Sequence, residues 1–343
     1  MSALAHVAAF LGGATVVAAV VLSAVKTVVL PHGRGARLTG ALFLGVRRLI
    51  ELHERLPAAA RRRHRAMSMY APVSLVLLPL VWLTGTMLGL TAMFWGLGTH
   101  PLRAAFKLAG SSMLTLGFAD VADLPREVLS FLSAGLVIAV LGLLLVTYLP
   151  SIYAAYSARE TAVTSLEVVA GAPPRVSALL VRHHRIGGVD RLEEVWRTWR
   201  DWFTSAAESH TALPAVVLFR SGDPDRSWLR SAETVLDAAA LQLAIGEERN
   251  AEAALCIRSG YVALRAIAEF YRFDVTGDPA PDDPITVDRA DFDAVLATLA
   301  AAGVPLPADR DQAWRDWAGW RVNYDEVVRQ LAELTATDLV PPS

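Results

Sequence analysis

Thr115-Leu116-Gly117-Phe118-Ala119-Asp120 is the stretch that decides how this chain of 343 residues is read. It follows a segment, Pro101 to Leu114, with helical character but too short to cross a bilayer. It lies between two long apolar segments. A hydrocarbon core of about 30 Å needs about 20 apolar residues as helix. Three segments are that long: Ala3 to Leu30, interrupted only by His6 and Lys26; Ala71 to Leu97, with no charge; and Val128 to Leu149, also uncharged. With 54% hydrophobic residues and a mean hydropathy of +0.38, the chain is not expected to be wholly soluble. No Arg or Lys precedes the first apolar run, so it reads as a retained span and not as a cleaved signal peptide.

Charge is distributed unevenly. Up to Ser157, Lys and Arg outnumber Asp and Glu by 13 to 5; beyond it the balance is 19 to 29. Most of the basic excess falls between Arg34 and Arg65, including Arg61-Arg62-Arg63. The positive-inside tendency puts this loop in the cytoplasm. The N-terminus is then outside, the Thr115 loop is on the outer side, and everything after Arg159 is cytoplasmic. Leu38, Leu42, Val46, Leu49, Ile50 and Leu56 share one side of a helical projection, opposite Arg47, Arg48, Glu51, Glu54 and Arg55. That pattern predicts an amphipathic helix at the inner surface, drawn to anionic lipid, or else a basic loop that only sets topology. The Arg residues are clustered in a loop and not spaced through a span, which excludes a voltage sensor. The acidic soluble half argues against nucleic-acid binding. Cys256 is the lone cysteine, so no intrachain disulfide forms.

The hexapeptide between two spans, after a short helix, resembles the filter of the potassium-channel superfamily, which reads Thr-Val-Gly-Tyr-Gly-Asp. In that family the backbone carbonyls of the loop replace the hydration shell of a permeating ion. The resemblance implies that Thr115, Leu116, Gly117, Phe118 and Ala119 form a selectivity filter and that Asp120 and Asp123 charge its outer mouth. The family's pore loops enter from the outer side, as the charge distribution independently places this one. Leu116 and Phe118 replace the usual Val and Tyr. Ala119 replaces a glycine that ordinarily adopts positive φ, a substitution costing on the order of 1 kcal/mol per residue. Lys107 and Leu108 occupy the places of an aromatic pair that packs behind the family's filter, and Ser111 and Ser112 are candidates to brace the filter backbone instead. One loop cannot enclose an ion path, so the resemblance implies a homotetramer with closed symmetry.

In this reading the third span lines the pore. Gly135 and Gly142 are its hinge candidates, and Leu149, Pro150, Tyr153 and Tyr156 its gate candidates, because Pro150 removes a backbone hydrogen bond and bends the helix. Alternatively Pro150 only ends the membrane helix and the tyrosines sit at headgroup level.

Beyond Arg159 the pattern is helical. Asp190 with Glu193 forms a capping box before Leu192, Val195, Trp196, Trp199, Phe203 and Ala206. Further helices are predicted from Asp223-Pro224 to about Ile245, Glu247 to Tyr271, Asp288 to Ala302 and Asp309 to Thr335, with a Pro- and Asp-rich loop over Asp274 to Asp288. Leu213 to Arg220 alone resembles a strand. His183-His184 reads as a solvated pair, Glu208-Ser209-His210 as unsuited to hydrolysis because adjacent residues rarely face each other, and the Trp-rich face as core or subunit interface. No nucleotide, phosphate, EF-hand or zinc motif is present.

The sequence thus predicts an all-α membrane protein with three transmembrane helices, a re-entrant pore helix and filter, and an α-helical cytoplasmic domain. The predicted regions are 1–31 (first span), 32–70 (basic loop), 71–157 (pore domain) and 158–343 (cytoplasmic domain). The expected function is a tetrameric potassium-conducting channel of the plasma (inner) membrane, with permeant K+ its only implied ligand. The alternatives are a non-selective cation channel and a non-conducting, membrane-anchored helical scaffold or receptor. An enzyme is not expected.

Overall fold

A computed structural model describes residues 3–28, 41–42, 45–46, 48–49, 69–121, 123–187, 192–223, 225–246, 250–337 and 339. The described residues form helices and connecting turns, with no strand among them. The chain divides into two compact units, Met1–Tyr153 and Ala154–Ser343.

Three helical stretches are long and apolar enough to cross a membrane: Ala3–Val28, Tyr70–Gly96 and Leu124–Ala170. In the first unit, α1 (Ala3–Val28) packs along α2 (Tyr70–Gly96). Helices in lipid gain nothing from burying apolar surface against each other, so close approach through small residues has to hold them. Gly13 and Gly89 supply it: a Cβ on Gly13 would lie 2.4 Å from the Gly89 carbonyl oxygen, and one on Gly89 would lie 2.7 Å from Val17 Cγ2. The first span therefore packs against the second span of its own chain.

The short helix α3 (Leu102–Met113) has 12 residues, with Pro101 at its N-cap. At 1.5 Å per residue it is about 18 Å long, too short to span. Ala105, Leu108, Ala109 and Met113 bury it against Leu90, Met93 and Phe94 of α2 and Val137 of the helix that follows. That helix, α4 (Leu124–Gly142), runs through a π-helical segment, Leu143–Tyr148, into α5 (Leu149–Ala170). Pro150 does not end the helix, as one sequence reading had it. The wider π turn lies where Pro150 withdraws its N–H and crowds the carbonyl four residues earlier.

The second unit is built around α9 (Trp228–Ile245), of which 13 residues are buried. It follows α6 (Val176–Arg185), α7 (Leu192–Ala212) and the short α8 (Ala215–Leu218). After it come α10 (Ala251–Phe270), α11 (Arg289–Ala301) and α12 (Arg310–Thr335). Helices α6, α7, α10 and α12 pack on α9. Gly260 lets α10 close in: a Cβ there would meet Leu236 Cδ2 at 2.5 Å and Phe203 at 3.1 Å. Side-chain caps from Ser227, Asn250 and Asp309 open α9, α10 and α12.

Several boundaries differ from the sequence reading. Asp223 does not start α9; its carboxylate accepts from the Asp225 N–H in a turn, and Ser227 is the cap. Leu213 to Arg220 is not a strand. Pro214 begins a single helical turn, and the buried Arg159 guanidinium takes the Val216 and Phe219 carbonyls at 2.8 and 2.7 Å, so they are not offered to a ladder. Asp190 lies outside the described residues, as does most of the predicted amphipathic segment Leu38 to Leu56. The described positions there, 41–42, 45–46 and 48–49, are helical, with Val46 buried and Leu49 exposed.

Candidate functional site

The hexapeptide forms the turn between α3 and α4. Helix α3 ends when the Leu114 N–H donates to the Gly110 carbonyl and Thr115 donates to the Ser112 carbonyl. The chain then wraps around Ser111, a residue only 2% exposed. The Ser111 carbonyl accepts from the N–H groups of Leu116 and Gly117, at 2.8 and 3.4 Å. The Ser111 hydroxyl accepts from those of Phe118 and Ala119, at 3.0 and 3.1 Å. Four consecutive amides are thereby held by one residue. Among the described residues no donor engages the carbonyls of Thr115 to Ala119. The residues from Leu114 to Phe118 are all exposed within a single chain.

Positive φ falls at Thr115 (56°) and Gly117 (66°), and Ala119 is not in that region. The backbone cost expected at Ala119 is therefore not incurred; the non-glycine residue that carries it is Thr115. Its hydroxyl bonds the adjacent Leu114 carbonyl at 2.7 Å.

The two serines have different duties. The Ser112 hydroxyl accepts from Ser130 of α4 at 2.7 Å and so ties α3 to α4; it does not reach the loop backbone. Asp123 caps α4 by accepting from the Arg126 N–H and also pairs with the Arg126 guanidinium at 3.3 Å. Arg126 in turn donates to the Leu97 carbonyl at 2.6 Å, linking the end of α2 to the start of α4. Asp120 is exposed. Lys107 holds its ammonium 5.4 Å from the centre of the Phe118 ring, while Leu108 is buried. Arg126 and Ser130 went unrecognised in the sequence. The Asp123 to Arg126 spacing of three was the one available signal.

The hinge and gate candidates are strung along one helical stretch and are not brought together. A Cβ on Gly135 or Gly142 would meet nothing within 4 Å. Leu149 is half-buried, Pro150 is exposed and Tyr153 is 72% exposed. Tyr156, in the second unit, packs on Phe219 with ring centres 5.7 Å apart.

In the second unit Trp196, Trp199, Trp202 and Phe203 are core residues. His183 is not solvated: it is buried, with Nδ1 2.9 Å from the Leu179 carbonyl. Ser209 does touch its neighbour, with Oγ 3.1 Å from His210 Nδ1. That nitrogen also lies 2.8 Å from the Ala206 carbonyl, which requires it to carry the proton. It therefore cannot accept the serine proton, and burial, then the nearby Arg159 charge, pushes the His210 pKa down to about 3. Burial likewise pushes the Cys256 thiol up to about 12, which leaves it un-ionised and unreactive.

No family model, curated protein or solved structure matches this chain.

Proposed function

We propose that the chain is the subunit of a homotetrameric cation channel, conducting potassium, with the Thr115 to Ala119 carbonyls as ion ligands. The observation that carries this reading is the wrapping of the loop around Ser111. The amides of Leu116, Gly117, Phe118 and Ala119 are held on one residue, and among the described residues no donor engages the carbonyls of Thr115 to Ala119. An ion that sheds its water needs such carbonyls. A short helix directly before the loop aims its negative carbonyl end toward it, which favours a cation. Four copies around an axis would cover the exposed Leu116 and Phe118. In this reading Asp120 faces the outer mouth, the N-terminus is outside, the second unit is cytoplasmic, and the protein resides in the plasma (inner) membrane.

Thr115 favours a second reading. Its left-handed backbone departs from a continuous extended strand at the inner end of the loop, at a cost of about 1–2 kcal/mol. A membrane-anchored scaffold that does not conduct would tolerate this.

The test is cation flux from purified protein in liposomes, comparing potassium with sodium and adding barium as a pore blocker. Barium-sensitive potassium flux is expected. Equal sodium and potassium flux makes the protein a non-selective channel. No flux from the parent and none from Thr115→Gly, which relieves the left-handed backbone, sinks the channel reading.

A further inference from the structure

The core of the second unit contains a charge arrangement that packing alone does not call for. Arg321 of α12 is 2% exposed and is surrounded by three carboxylates. Its Nη2 donates to Glu233 at 2.8 Å, its Nε donates to Asp325 at 2.8 Å, and its Nη1 bonds both oxygens of Asp237. Tyr324 donates to Asp237 at 2.8 Å, and Thr286 gives Asp325 both its N–H, at 2.9 Å, and its hydroxyl, at 2.8 Å. Glu233, Asp237 and Asp325 are each no more than 6% exposed. One cation among three ionised acids would leave two negative charges without compensation in a dry core, each costing several kcal/mol.

We propose that this cluster is a proton-binding site: a proton held on Glu233 keeps α9 seated on α12, and its loss as pH rises loosens that contact. The proton belongs on Glu233 because of the partners each acid has. Burial raises the Asp237 carboxyl as well, but Asp237 accepts from both Arg321 and Tyr324, and Asp325 accepts from Arg321 and from two Thr286 donors. Among the described residues Glu233 has one hydrogen bond, to Arg321. The groups that act on it include Arg321, Tyr324 and Asp325 from α12 and Asp237 from its own helix. Of the other helices packed on α9, α10 brings Gly260 against Leu236. Burial, opposed by Arg321, lifts Glu233 from the ordinary 4.5 to about 7. A carboxyl whose folded value is raised stabilises the fold fully below its unfolded value, and that contribution is lost as pH rises through the folded one. The window is therefore 4.5 to about 7, with the loosened state on the alkaline side.

The experiment uses the full chain in lipid nanodiscs, the parent beside Glu233→Gln and Asp237→Asn. Infrared difference spectra from about pH 5.5 to about pH 8.5 follow the protonated carboxyl band. Hydrogen exchange of α9 and α12 peptides is followed over the same range, corrected for the intrinsic effect of pH. In the parent, the band is expected to vanish with a midpoint near 7. Exchange is expected to accelerate at least about tenfold, the equivalent of one linked pKa unit. Glu233→Gln should abolish both effects and keep exchange slow. A band that survives in Glu233→Gln and disappears in Asp237→Asn overturns the placement of the proton. A band that titrates without any change in exchange overturns the coupling, and no titrating band overturns the site.

Discussion

Around Ser111, four backbone amides converge on one residue at the edge of an exposed loop. Around Arg321, three carboxylates converge on one guanidinium shielded from solvent. Both are hubs, but their energetics differ. Water can replace any partner lost from the first, so each bond there is worth a net 0.5–1.5 kcal/mol or so. Nothing replaces a partner lost from the second, and the penalty is that of a bare buried charge. The loop can therefore change shape without unfolding the chain, whereas the cluster and the fold of the second unit stand or fall together.

The sharpest way to break this contrast is Arg321→Met, which leaves the acids buried without their cation. The second unit should lose roughly 3–5 kcal/mol, read by denaturant unfolding of the full chain in detergent and followed through the buried Trp317. A midpoint equal to the parent's would mean that the carboxylates are not charged at all.

An intermediate effect is expected in the first unit. Gly89→Leu forces a side chain into the α1–α2 contact and should cost about 1–3 kcal/mol of thermal stability. Gly12→Leu is the control, since a Cβ there meets nothing within 4 Å. Equal melting of the two variants would show that the glycine contact does not hold the spans together.

The smallest global effect belongs to Ser111→Ala. Losing two bonds to an exposed loop, worth about 1 kcal/mol together, should lower the melting temperature by about 2–4 °C while hydrogen exchange at Phe118 and Ala119 rises several-fold. Global melting in step with the loop would erase the distinction between the two hubs.

What was legible in the sequence follows the same division. The three apolar stretches could be read because a run long enough to cross a bilayer is a local property. The Ser111 hub was half legible: the residue stood out beside the loop, but which atoms it would gather depends on how the chain turns between Leu114 and Ala119. Ser112 looked equivalent, and only the arrival of Ser130 from α4 separates them. The Arg321 cluster was illegible. Glu233 and Asp237, and separately Arg321 and Asp325, sit four residues apart on their helices, the spacing of ordinary solvated pairs. Only the packing of α9 on α12, across more than 80 residues of chain, puts both faces indoors. Leu213 to Arg220 misled for a related reason: its apolar run is buried, but its carbonyls are claimed by Arg159 from a distant part of the chain.

The glycine contact between α1 and α2 also bears on how the protein is made. Both helices are apolar around their whole circumference, so neither has a face that tells it where to lie. Their shape at Gly13 and Gly89 carries that address. Chains fold broadly from the N-terminus as they are synthesised. The pairing of the first two spans uses no residue beyond Gly96, so the short helix meets a seat at Leu90 and Phe94 that does not depend on it.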